Sequence, residues 1–159
     1  MAGKVKAIPD GYGSVTPYLI VKGGAAAIEF YKRAFGATEI MRMAQPDGRV
    51  GHAELQIGDS RLMLADEFPE RGYLGPQSTG RSPVTLHLYV EDVDKVASQA
   101  VAAGAKEVQP VQDQFYGDRS GVFTDPFGHC WNISTHKEDL TMEEMGKRAA
   151  AAMAKASAG

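Results

Sequence analysis

The stretch Ala34-Phe35-Gly36-Ala37-Thr38-Glu39-Ile40 returns 68 residues later as Ala102-Ala103-Gly104-Ala105-Lys106-Glu107-Val108. Upstream of each copy lies a strand-like run, Val15 to Val21 and Val84 to Val90, at a spacing of 69. Downstream of each come two further strand-like runs joined at Gly58-Asp59 or Gly128-His129, at a spacing of 70. A spacing this constant identifies two copies of one supersecondary unit.

Within a copy the element order is readable. Val15 to Val21 alternates with the period of two that marks a strand. In Ala25 to Phe35, the residues Ile28, Tyr31 and Phe35 form a helical stripe that stops at Gly36, a C′ residue. Thr38 to Met43 follows as a strand, Gln45 to Gly48 as a turn, and Gly51 to Ile57 and Arg61 to Ala65 as two more strands. The second copy repeats the βαβββ order around a helix over Val93 to Ala103, with Asp125-Pro126-Phe127-Gly128 as the turn before its last strand.

This gives a lead-in over 1–13, a first module over 14–66, a linker over 67–82, a second module over 83–136 and a helical tail over 137–159. In the tail, Thr141-Met142-Glu143-Glu144 has the form of a capping box. Met142, Met145, Ala149 and Met153 lie on one face of the helix that follows. Docking of that face and plain solvation both remain open.

The composition narrows the function. The chain has 159 residues, 43% of them hydrophobic, enough for one domain with its own core. A net charge of −3 argues against nucleic acid and anionic membrane as partners. A single cysteine, Cys130, excludes an internal disulfide framework and suits the cytoplasm. No apolar run approaches membrane-spanning length, and no signal-peptide core is present.

Strand parity sorts the side chains. Leu19, Val21, Ala53, Leu55, Ile57, Leu86, Leu88, Trp131 and Ile133 form an apolar set for the helices to cover. Thr16, Tyr18, His52, Glu54, Met63, Thr85, His87, Tyr89 and Asn132 fall on the opposite face. Aromatic rings with a few polar groups on one concave surface are the material of a small-molecule site. A merely wet sheet face is the alternative.

Two βαβββ modules of this size resemble the vicinal oxygen chelate superfamily. Thr16-Pro17-Tyr18-Leu19, Ile28-Glu29-Phe30-Tyr31, His52-Ala53-Glu54-Leu55, Tyr116-Gly117-Asp118-Arg119 and Asp125-Pro126-Phe127-Gly128-His129 resemble its PhnB-like, glyoxalase/bleomycin-resistance branch. The resemblance implies an α+β fold: two tandem modules forming a curved mixed sheet or half-barrel with helices outside, plus a C-terminal helix. It also implies a homodimer whose cavities are shared between chains. Metal-dependent members carry a ligand on the first and last strand of each module, positions that here are Thr16, Met63, Thr85 and Asn132. None offers imidazole, carboxylate or thiolate.

The expectation is therefore a small-molecule-binding protein without a cofactor. Tyr18, Tyr89 and Phe115 would stack on the ligand, and Thr16, Met63, Thr85, His52, Glu54, His87 and Asn132 would complete the wall. The alternative is a divalent-metal lyase, isomerase or oxygenase in which His52, Glu54 and His87 hold Zn, Ni, Fe or Mn at a displaced site. Glu54 and His87 are its catalytic candidates. Asp118 and Arg119 are read as a ligand clamp or a surface ion pair, and His129 and His136 as exposed.

Overall fold

The computed structural model describes residues 5–158, so the first four residues of the lead-in lie outside it, as does residue 159. The first module runs β1 (Tyr18–Val21), α1 (Gly24–Phe35), β2 (Thr38–Ala44), β3 (Val50–Ile57) and β4 (Ser60–Asp66). The linker holds a 3-10 turn, Pro69–Arg71, and a single helical turn, α2 (Pro76–Thr79). The second module runs β5 (Thr85–Tyr89), α3 (Val93–Ala103), β6 (Lys106–Asp113), β7 (Asp118–Thr124) and β8 (Cys130–His136), and α4 (Met142–Ser157) closes the chain. The repeat thus appears as two βαβββ units of matching topology. β1 is shorter than its apolar run because Pro17 lacks the N–H that a ladder needs, although its carbonyl still accepts from Met63 N at 2.9 Å.

The strands form two open four-stranded sheets, ordered β1-β4-β3-β2 and β5-β8-β7-β6. The tandem modules of the expected α+β fold are thus two mixed sheets, one per module, followed by the C-terminal helix. In the single chain the sheets are separate, and α1 and α3 pack against each other. In each module the first and last strands pair in parallel and the other neighbours antiparallel.

The helices begin and end where local chemistry dictates. Asp66 caps the start of α1 by accepting the N–H groups of Gly23 and Gly24, each at 2.8 Å. Gly36 ends it at φ +65°, its N–H bonded to Lys32 O and that of Ala37 to Tyr31 O. Asp92 caps α3 through Lys95 N.

One core serves both modules. Leu19, Val21, Ile28, Tyr31, Leu55 and Leu64 join Phe123, Trp131 and Ile133 in a single buried cluster. Tyr31 on α1 packs against Phe127 and Trp131 of the second module. Asp125, expected only to turn the chain, also joins the halves. Its carboxylate accepts from Tyr31 Oη at 2.7 Å and Trp131 Nε1 at 2.9 Å. His129, expected on the surface, is buried with Nε2 2.9 Å from the Ile20 carbonyl, because the same turn presses it onto β1.

The helices and core take up the apolar faces, so the polar faces of both sheets point away from the centre. α4 buries no residue, and Met142 and Met153 are exposed. Thr141 caps it through Glu144 N at 3.2 Å. Among the described residues, no helix is long and apolar enough to cross a membrane.

Candidate functional site

Register places the outward residues in lateral rows. On the first sheet Tyr18 stands opposite Met63, Met63 opposite Glu54, and Glu54 opposite Met41. His52 stands opposite Met43 in the next row. Directly paired residues share a face, so these side chains form one surface.

A hydrogen-bonded chain crosses that surface. Tyr12, from the lead-in, donates through its hydroxyl to Glu54 Oε2. Glu54 Oε1 lies 3.1 Å from His52 Nε2, and His52 Nδ1 lies 2.8 Å from the Tyr18 hydroxyl. With the ring proton on Nε2, facing the carboxylate, Nδ1 accepts from Tyr18 and the order of donors is fixed. The Tyr12 and His52 hydrogen bonds hold the Glu54 carboxyl below the usual carboxylate range. The bond to Glu54 raises the Tyr12 phenol, and burial raises that of Tyr18. The guanidinium of Arg61 sits 5.2 Å from the centre of the Tyr12 ring, its Nε and Nη1 buried without a hydrogen-bond partner among the described residues.

Beside this chain a hollow of about 550 Å³ opens between the sheet and the linker. Tyr18, Ile20 and Ala65 form its floor, and Phe68, Arg71 and Tyr73 its wall. Phe68 and Tyr73 clasp each other through two backbone bonds, of 2.9 and 3.1 Å. Sequence reasoning missed these linker residues by treating 67–82 as connection. The density of aromatic and arginine side chains between Phe68 and Tyr73 was the signal available.

The second sheet carries a different set. His87 stands opposite Asn132, with the Asn132 amide nitrogen 3.3 Å from His87 Nδ1. The His87 and Tyr89 ring centres lie 4.5 Å apart. The Tyr89 hydroxyl donates to buried Asp118 at 3.0 Å, and Asp118 also meets His136 Nδ1 at 2.8 Å. Arg119 makes surface ion pairs with Asp94 at 2.8 Å and Asp113 at 3.2 Å. Phe115 stands edge-on to Tyr116 in the β6–β7 loop and borders α4.

The fold therefore brings Tyr18, His52, Glu54 and Met63 together, and separately His87, Tyr89 and Asn132. It does not bring His87 to His52 and Glu54 within one chain. Among the described residues no three His, Cys, Asp or Glu side chains converge as a metal site. Thr16, Tyr89 and His87 instead border a seam groove of about 540 Å³ between the modules. Thr85 stands exposed opposite Cys130. The donor chemistry at Thr16, Met63, Thr85 and Asn132 does not fit the metal of the related enzymes.

The glyoxalase/bleomycin resistance protein/dioxygenase superfamily model matches residues 12–133, spanning both modules. The chain belongs to this superfamily. An uncharacterized protein of Mycobacterium bovis is 42% identical over 135 residues, 83% of this chain and 89% of that one. The crystal structure of TioX from Micromonospora sp. ML1 is similar at 28% identity and a TM-score of 0.60, covering 81% of this chain and all of that one. A PhnB protein from Bacillus cereus shares the fold at 18% identity and a TM-score of 0.62, covering 77% of this chain and 99% of that one. Superfamily members use one scaffold for many purposes, so the reading of function rests on the site.

Proposed function

We propose that this superfamily member binds a small, partly planar molecule in the hollow of its first module and does so without a metal. The carrying observation is the Tyr12–Glu54–His52–Tyr18 chain, which ends at a ring that also floors the hollow. The chain fixes the Tyr18 ring and leaves lone pairs on its oxygen for a ligand donor. It also engages both oxygens of the best base on this face. A carboxylate with a lowered pKa and two bound donors is a poor proton acceptor, which favours orientation over general-base catalysis.

Covering about 200 Å² of ligand at ~25 cal/mol/Å² yields on the order of 5 kcal/mol before association costs, so polar contacts are needed as well. Naphthalene-2-methanol is a suitable neutral probe. Titration calorimetry should give weak, saturable binding that drops at least about fivefold in Tyr18→Ala and in Tyr73→Ala, the loss expected for ~1 kcal/mol of ring contact. Unchanged affinity in both variants would remove the basis of this reading.

We also infer a homodimer in which the first sheet of one chain faces the second sheet of its partner. Tyr18 and Tyr89, on the two outward faces, are 47% and 60% exposed, costly for aromatic rings on open sheet. This pairing is also the route by which His87 would approach His52 and Glu54. A stoichiometric transition metal, retained after chelator-free purification and lost in both His52→Ala and His87→Ala, would establish the metal-dependent alternative.

A further inference from the structure

We propose that the hollow of the first module selects ligands whose apolar, planar body carries an anionic group, and that Arg71 is the counter-charge. This rests on the hollow being the ligand site. Of the residues that line it, Arg71 alone is charged. Its guanidinium lies 5.5 Å from the Phe68 ring centre. Among the described residues no hydrogen bond or ion pair engages it, so its five N–H donors are unspent.

The neighbouring charges are already committed. Arg49 lies 4.1 Å from the Phe68 ring centre and pairs with Asp47 at 2.8 Å and Glu70 at 3.3 Å, while Arg71 acts on Glu70 only at longer range. Glu54, on the same sheet face, is bound by Tyr12 and His52.

The loop that presents Arg71 is built to a fixed shape. Gly72 follows at φ +78°, a conformation that an L side chain resists, and its N–H closes the 3-10 turn onto Pro69 O at 3.0 Å. The Phe68–Tyr73 clasp then holds the cation near the Phe68 ring, in the same wall as Tyr73. A ring-bearing carboxylate lying on Tyr18 and Tyr73 would share the hollow with the guanidinium, a group whose planar fork can bind carboxylates bidentately.

Three matched probes test this on the full chain: 2-naphthoate, naphthalene-2-methanol and the 2-naphthylmethylammonium ion, titrated at low salt. Naphthoate should bind at least about tenfold tighter than the alcohol, and the ammonium ion weakest. Arg71→Gln should bring naphthoate down to the affinity of the alcohol, with the loss for the alcohol several-fold smaller than that for naphthoate. Arg71→Lys should keep part of the preference, since it retains the charge and loses the fork.

Equal binding of naphthoate and alcohol, no detectable naphthoate binding, or a preference that survives Arg71→Gln would overturn the proposal. If the alcohol loses affinity in Tyr73→Ala but no anion preference exists, only the role of Arg71 falls. If Tyr18→Ala and Tyr73→Ala leave all three probes unaffected, the hollow itself is not the site.

Discussion

Asp125→Ala tests the physical link between the modules. The carboxylate is 4% exposed and accepts four hydrogen bonds. They come from Tyr31 Oη at 2.7 Å, Trp131 Nε1 at 2.9 Å, Phe127 N at 2.9 Å and His129 N at 3.0 Å. A hydrogen bond to a charged acceptor contributes about 1.5–3 kcal/mol, and a buried donor left alone costs a similar amount. The two backbone donors lie in a turn, on residues that are themselves buried, Tyr31 is fully enclosed and Trp131 nearly so, and water replaces the carboxylate poorly at all four. The alanine variant also escapes the desolvation of a buried charge, which offsets part of the loss.

The net expectation is a destabilisation of about 4 kcal/mol, a large share of the ~5–15 kcal/mol typical of a domain. With an m-value of about 2 kcal/mol/M, the urea midpoint falls by roughly 2 M. Tyr31→Phe removes one donor and leaves the carboxylate three partners, so it should cost about 1–2 kcal/mol. The double variant should be less destabilised than the sum, by ~1 kcal/mol, because both changes delete one bond. An Asp125→Ala midpoint within about 0.5 M of the parent, or strict additivity with Tyr31→Phe, would refute the claim that this carboxylate ties the halves together.

Asp139, then Asp118, raise the pKa of His136 above its ordinary value, so the folded state gains stability that is complete below about pH 6.5 and is lost as pH rises through the raised folded value. The melting temperature should therefore fall between about pH 6 and 8, and His136→Gln should flatten that slope; an unchanged slope would exclude His136 as its source. At Gly24 a Cβ would lie 2.8 Å from both Asp66 Oδ2 and Val50 Cβ, so Gly24→Ala should cost about 1–3 kcal/mol in chemical denaturation despite the better helix propensity of alanine.

The fold was legible because the repeat and the alternation of side chains report backbone geometry directly. Gly36 and Gly104 end both helices where the repeat places them, and α3 occupies the expected Val93–Ala103. The pairing of His52 with Glu54 was legible for the same reason, since residues two apart on a strand share a face. Module packing was not. Parity says that Trp131 faces a helix but not which one, and the answer includes α1 of the other module through Tyr31. That choice turns both polar faces outward and leaves His87 on a different sheet from His52. The wall of the hollow was hidden for another reason. Phe68, Arg71 and Tyr73 follow no secondary-structure period, and only the Phe68–Tyr73 clasp and the left-handed Gly72 fold them back onto β1 and β4.

The unequal completeness of the two faces has a functional consequence. On the first sheet the linker supplies a wall and the lead-in supplies Tyr12, so one chain assembles floor, wall and a fixed hydrogen-bonded ring. On the second, among the described residues none of the linker lines the groove beside Tyr89, and Asp118 binds Tyr89 and His136. Duplication gave both modules the same strands, but the segments outside the repeat decide which face carries the linker-walled hollow. The proposed site on the first face therefore depends less on the strand positions where metal-dependent relatives carry their ligands than on residues 9–13 and 67–75. Changes in those segments should alter ligand choice while leaving the shared core, and hence the fold, in place.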